Sequence, residues 1–135
     1  MERAVFRYVE HELYNYDSTK AEIRAMREDI LEGTNAPELK PEKMGKYLNG
    51  DVVFSKVSRL TSNVALCRMQ ETVQAIEKAL RLLTEEHSHL FQLKYRDHKD
   101  WQQIIMEIPM SERSYFYKRK ELVMMVAVQM GLTNP

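Results

Sequence analysis

The chain has 135 residues, which suits one domain, or one small domain with an appendage. Its 20 basic and 20 acidic residues give a formal net charge of zero, which excludes a charged disordered tail and a polycation that binds nucleic acid through bulk charge. Only four glycines and four prolines, beside nine methionines and abundant Leu, Glu, Lys and Gln, favour helix, so we predict an all-α protein.

Two helices are predicted at the N-terminus. Apolar side chains recur there at steps of three and four residues: Phe6, Val9, Leu13 and Tyr16. This spacing predicts an amphipathic helix over residues 3–16, which residues 17–18 (Asp-Ser) should end. Thr19 and Glu22 match a capping box and predict the start of the second helix. We expect the two helices to form an antiparallel hairpin.

Residues 33–54 form the predicted linker. They hold three of the four glycines and two of the four prolines, and no apolar period survives there. The first of these glycines, Gly33, should end the second helix. We therefore divide the chain into an N-terminal helical hairpin (1–32) for oligomerisation or partner contact, a linker or loop (33–54), and a C-terminal part (55–135).

A long central helix is predicted from Val57 to Leu83. Its apolar residues alternate steps of three and four: Leu66, Met69, Val73, Ile76, Leu80 and Leu83. Because this pattern lasts under three heptads, it fits two uses, an internal spine on which both ends of the chain pack or a self-association helix. Cys67 lies in this stretch and is interpreted as core. Thr84, followed by two glutamates, predicts a helix that continues to about Arg96.

The last third of the chain predicts two capped helices with a tight turn between them. Asp100 and Gln103 match a capping box at the start of a short helix. Pro109 should end that helix because proline cannot donate a backbone N–H and disfavours helical geometry in the residue before it. Ser111 should cap a long final helix, which Gly131 closes.

Charge is concentrated on the start of that final helix. Residues 111–120 carry four bases and one acid, whereas residues 1–32 carry five bases and eight acids. A short helix, a tight turn and a Ser-capped basic helix are typical of a helix-turn-helix, whose second helix enters the major groove of double-stranded DNA. The predicted DNA-binding residues are Gln102, Ser111, Glu112, Arg113, Ser114, Phe116, Tyr117, Arg119 and Lys120.

Each part of this stretch has an expected role. The predicted inward spine is Tyr115, Leu122 and Val126, with Met110 packed beneath the turn and Trp101 as a core anchor. Arg113 and Lys120 can donate to guanine edges or phosphates, and Phe116 can contact a thymine methyl group. Ser111 and Ser114, at the helix start, suit a phosphate. An alternative places Phe116 and Tyr117 in the core, with the basic face rotated by one position.

Several short segments resemble a known family. The segments at 83–86 (Leu-Thr-Glu-Glu), 93–95 (Leu-Lys-Tyr) and 110–115 (Met-Ser-Glu-Arg-Ser-Tyr), with Trp101 and Ile104, resemble the fourth region of primary sigma factors. With 9–16 (Val-Glu-His-Glu-Leu-Tyr-Asn-Tyr) and a long preceding helix, the chain is more similar to the phage transcriptional regulators of the RinA and ArpU families. The resemblance implies a DNA-binding activator of phage late or packaging genes.

The remaining expectations concern partners and compartment. We expect a homo-oligomer, since one recognition helix reads only a few base pairs, and RNA polymerase is a further candidate partner. A single cysteine, an acid-containing N-terminus and a longest apolar run of seven residues (122–128) predict a cytoplasmic protein of the bacterial host, with no membrane partner.

Catalytic and metal chemistry is not expected. There is no glycine-rich phosphate loop and no nucleophile elbow, and Asn15 stands where a His-Glu-x-x-His zinc motif starting at His11 needs its second histidine. We therefore predict no enzyme, no cofactor and no metal. Two alternatives stay open: a DNA-packaging protein like a small terminase subunit, and an adaptor whose C-terminal helix docks on RNA polymerase.

Overall fold

The computed structural model describes residues 1–33 and 63–135, and all regular structure in these two ranges is helical. The elements in chain order are α1 (Arg3–Tyr14), α2 (Tyr16–Gly33), α3 (Val64–Leu82), α4 (Glu85–Phe91), a π-helical turn (Gln92–Arg96), α5 (Trp101–Glu107) and α6 (Glu112–Gln129). The all-α prediction is confirmed. The predicted linker, beyond Gly33, and the predicted start of the central helix at Val57 lie outside the described residues.

The chain divides into two compact units. One comprises Met1–Thr19 with Glu71–Pro135, and the other comprises Lys20–Gln70. Helix α1 is therefore in one unit with the C-terminal helices, whereas the sequence led us to expect a separate N-terminal segment; hairpin packing of α1 on α2 stays a prediction. In the second unit, the Asn63 side chain accepts a hydrogen bond from the Leu66 backbone N–H at 2.8 Å, which caps the start of α3.

The boundary between α1 and α2 differs from the predicted one. Asn15 (φ −91°, ψ 6°) separates the two helices, so the predicted break at residues 17–18 is wrong. Asp17 lies in the first turn of α2, where a carboxylate is favourable at the positive end of the helix dipole. The predicted capping box also fails, because Thr19 already lies inside α2 and donates its backbone N–H to the Asn15 carbonyl at 2.7 Å.

Helix α1 packs against α6 within the first unit. Met1 and Val5 line a cavity together with Leu132, while Glu10 contacts Arg119, so the two helices run antiparallel. The side chains between them are fully buried: Val9 and Leu13 on α1, and Leu122, Val123, Val126 and Ala127 on α6. Burying a valine or leucine side chain stabilises a fold by about 1.5–3 kcal/mol. Helix α1 is thus part of the core of this unit.

The heptad stretch on α3 is largely internal. Leu66, Val73 and Ile76 are buried within the single chain, whereas Met69, Leu80 and Leu83 are half-buried. This burial favours the internal-spine interpretation of the stretch. Self-association through α3 stays a prediction.

The last helix ends as predicted. Gly131 adopts a positive φ of 75°, and its N–H bonds to the Val128 carbonyl at 3.0 Å. The Leu132 N–H bonds to the Ala127 carbonyl at 2.9 Å, which completes a Schellman motif. A glycine is favoured here because side chains make the left-handed conformation costly.

Candidate nucleic-acid interface

Helices α5 and α6 are capped and joined as the sequence predicted. The Asp100 side chain accepts the Gln103 backbone N–H at 2.9 Å, and the Gln103 side chain accepts the Asp100 backbone N–H at 3.2 Å. Ile108 is extended (ψ 103°) just before Pro109, which ends α5. The Ser111 hydroxyl accepts the Ser114 N–H at 3.1 Å and starts α6. Both helix starts are therefore held by their own side chains.

One apolar cluster supports α4, α5 and α6. Its buried members are Leu90, Leu93, Ile104, Ile108 and Tyr115, and Trp101, Ile105 and Met110 pack against them half-buried. The predicted positions of Trp101 as a core anchor and Met110 beneath the turn are confirmed. Between α4 and α6, the Glu86 carboxylate pairs with Lys118 at 2.6 Å. The orientation of α6 is thus fixed by a shared core and by polar contacts outside it.

The exposed face of α6 begins directly after the turn. Tyr115, Leu122 and Val126 are buried, which confirms the predicted spine. On the opposite side, Arg113 and Lys120 are exposed, as are Tyr117 (65%) and Phe116 (41%). The alternative that placed both aromatic residues in the core is therefore wrong. The Phe116 ring lies 6.0 Å from the Trp101 ring, which connects this face to the start of α5.

Arg119 does not lie on this face. Its Nε and Nη2 donate to the two oxygens of Glu10 at 2.9 and 2.6 Å, and its guanidinium lies 5.0 Å from the centre of the Phe6 ring. The prediction of Arg119 as an accessible DNA-binding side chain is therefore corrected. The reason is its position on the helix, four residues after Tyr115 and three before Leu122, which places Arg119 on the inward side.

The Glu10 carboxylate is the centre of this inward polar cluster. Tyr95, from the π-helical turn, also donates its hydroxyl to Glu10 Oε2 at 2.6 Å. Burial raises the pKa of the Glu10 carboxyl, but hydrogen bonds from Arg119 and Tyr95 and the charges of Arg119 and Lys94 bring it below its ordinary value. The Glu10 hydrogen bond raises the pKa of Arg119, whereas burial and then the Glu10 charge raise the pKa of the Tyr95 hydroxyl. Glu10 thus stays ionised and bridges α1, the π-helical turn and α6.

The other predicted site residues lie near the turn. Gln102 is exposed in the first turn of α5, and Glu112 is exposed in the first turn of α6. Ser111 is exposed and half-buried Ser114 uses its N–H in the cap, so that N–H is occupied within the protein. Glu112 places a negative charge beside the turn, which stabilises the helix start but opposes a phosphate there.

Sequence reasoning missed two contributors to this cluster, Glu10 and Tyr95. The inward position of Arg119 was visible in the spacing of the spine. The partner of Arg119 could not be predicted from the sequence, because Glu10 lies 109 residues away in the chain.

Within residues 1–33 and 63–135, no cluster of three or more His, Cys, Asp or Glu side chains could hold a metal ion. None of the helices in those ranges combines the length and apolar character needed to cross a membrane. No curated protein and no solved structure shows significant similarity to the chain. One protein family does match, over residues 9–128, which cover most of the chain. The chain therefore belongs to the family described as "Protein of unknown function (DUF722)".

Proposed function

We propose that this protein binds double-stranded DNA sequence-specifically and regulates transcription, with α6 as its recognition helix. One observation carries the proposal: Arg113, Tyr117 and Lys120 stand exposed at i, i+4 and i+7, directly after a capped turn. This spacing presents one polar and aromatic stripe from the N-terminal half of α6, which is the part of a recognition helix that contacts base edges. By its resemblance to the RinA and ArpU regulators, the target is a phage late promoter.

The charges on α6 indicate how such a protein would bind. Lys118 and Arg119 are paired with acids, so Arg113 and Lys120 are the cations of α6 without an ion pair in the described part of the chain. Each phosphate that a basic side chain neutralises contributes about 0.9 to the slope of log K against log salt, so a phosphate contact by Lys120 adds about that amount. A pair of chains on two half-sites would double this contribution, and we propose a dimeric DNA complex because one recognition helix reads only a few base pairs.

The test is selection of bound sequences from a random DNA pool, followed by affinity measurements on the best site. Arg113→Ala should lose about 1–3 kcal/mol of binding free energy and relax the preference at one base pair. Arg81→Ala, which removes an exposed arginine on α3, is the matched control and should leave affinity and preference unchanged. Enrichment of no sequence by the wild type would refute the proposal.

A second candidate is an adaptor that docks on another protein, such as RNA polymerase. Met106 favours it, because 83% of this apolar side chain is exposed on the outer side of α5, and Tyr117 is 65% exposed. The two functions differ in salt dependence. DNA binding should weaken steeply as salt rises, whereas an apolar protein contact should persist without DNA.

A further inference from the structure

The fold separates the basic side chains of residues 92–120 into two groups. Four are ion-paired: Arg96 with Asp17, Lys99 with Glu107, Lys118 with Glu86 and Arg119 with Glu10. Three have no ion pair in the described part of the chain: Lys94, Arg113 and Lys120. Two of these three belong to the exposed face of α6. The third, Lys94, lies on the π-helical turn and has not been assigned a role.

Lys94 lies within a small aromatic cluster. Its Nζ is 5.6 Å from the centre of the Tyr14 ring and 5.4 Å from the centre of the Tyr95 ring. The His98 ring stacks on Tyr14, with centroids 5.7 Å apart and planes 6° apart. The nearby Glu10 carboxylate is already bound by Arg119 and Tyr95. An ammonium group and an imidazole thus flank one half-exposed tyrosine, and neither forms an ion pair within residues 1–33 and 63–135.

The backbone at His98 lies in the left-handed region, which glycine adopts at no cost. His98 adopts φ 56°, and the following Lys99 N–H bonds to the Leu93 carbonyl at 2.9 Å to close the π-helical turn. Glycine usually occupies such a left-handed position after a helix, and asparagine, aspartate and histidine are the side chains that adopt it most often, at a cost of about 1 kcal/mol. The closure of the turn alone would therefore favour glycine over histidine at residue 98.

The cluster is close in the chain to a residue that contacts the exposed face of α6. Phe116 on α6 contacts Trp101, at the start of α5, with ring centroids 6.0 Å apart. His98 precedes Trp101 by three residues, so their Cα atoms are at most about 11 Å apart. The major groove is about 12 Å wide, and its edges are the phosphate backbones. A basic group beside a helix seated in the groove can therefore meet a phosphate at the groove edge.

We infer that Lys94, His98 and Tyr14 form a site for a backbone phosphate of the bound duplex, beside the groove that α6 enters. Lys94 supplies charge, and His98 and Tyr14 supply hydrogen-bond donors. This inference rests on the proposed function and adds a phosphate contact to it. Such a contact fixes the register of α6 on DNA but carries no sequence information.

The test uses the full-length chain and a duplex of mixed sequence, with affinity measured between about 50 and 200 mM salt. Lys94→Gln should weaken binding about fivefold and reduce the salt slope by about 0.9, on the selected site and on mixed sequence alike. Lys78→Gln, which removes an exposed lysine on α3, is the control and should change neither value. Equal slopes for the two variants would overturn the inference.

A second variant separates binding from folding. His98→Gly suits the left-handed backbone, so its thermal midpoint should equal or exceed that of the wild type, while its affinity for mixed-sequence duplex falls. Unchanged affinity would show that His98 serves the turn only and would overturn its part in the site. Absence of duplex binding by the wild type refutes the proposed function, whereas wild-type binding with an unaltered Lys94→Gln slope refutes this inference alone.

Discussion

Replacing Glu10 by glutamine tests whether α1 holds the recognition helix in place. Glu10 accepts three hydrogen bonds, one from Tyr95 and two from Arg119, across α1, the π-helical turn and α6. Glu10→Gln keeps the shape of the side chain but removes its charge and turns one acceptor into an N–H donor. The Arg119 guanidinium then lacks a counterion, and one of the three donors lacks an acceptor.

The exposure of the pair sets the expected loss. Removing one partner of a buried ion pair lowers the free energy of unfolding by about 3–5 kcal/mol, mostly because the remaining charge stays buried and unpaired. The Glu10 side chain is 15% exposed and that of Arg119 is 27% exposed, so water can solvate part of the guanidinium. We therefore expect a loss of about 2–3 kcal/mol in the free energy of unfolding. For a chain of this size, the thermal midpoint should fall by about 8–12 °C.

Thermal and urea denaturation of the full-length chain, followed by circular dichroism, measure this loss. Glu12→Gln is the control, since it makes the same chemical change on α1 at a residue without a partner in the described ranges. The control should stay within about 0.5 kcal/mol of the wild type. A double-mutant cycle with Arg119→Gln should give a coupling of at least about 1 kcal/mol. Equal midpoints for the Glu10 and Glu12 variants would refute the bridging role of Glu10.

Three further predictions concern pH, a helix cap and a fragment. The pKa of Glu10 is lower in the folded chain than the ordinary value of about 4.3. The ionised carboxylate therefore stabilises the fold above that value, and this stabilisation is lost as pH falls through the folded pKa. The stability difference between wild type and Glu10→Gln should shrink below about pH 4. Asp100→Ala removes the capping box of α5 and should cost about 1 kcal/mol in urea denaturation, whereas Asp100→Ser should retain most of that stability. Residues 55–135 alone lack Val9, Leu13 and Glu10, so this fragment should melt without a cooperative transition; a sharp melt like that of the full chain would contradict the role of α1 in the core.

The features that the sequence predicted correctly are those set by nearby residues. The Asp100 box, the Ser111 cap and the Gly131 ending each depend on residues within one or two helical turns. The predicted position of the break between α1 and α2 is wrong because aspartate and serine can either interrupt a helix or stabilise its first turn. Asp17 lies in the first turn of α2 and stabilises it.

The candidate site also combines features set by nearby residues with features set by residues far apart in the chain. The exposed stripe of Arg113, Tyr117 and Lys120 follows from helical periodicity, so the sequence predicted it. The fold, in contrast, decides which basic side chains form ion pairs, because it brings distant acids close to them, such as Glu10 beside Arg119. The π-helical turn that places Lys94 next to Tyr14 has no periodic signal, because five residues are too few to establish one.

The packing of α1 against α6 also dictates when this protein can fold during its synthesis. Val9 and Leu13 are made well before the buried residues of α6, such as Val126, because α6 follows α1 by about a hundred residues. At a translation rate of about 5–20 residues per second, roughly 5–20 s separate the synthesis of these side chains from the synthesis of their partners on α6. The apolar side of α1 therefore stays without its α6 partner in the nascent chain until α6 has been made, and the core of this unit forms only after that.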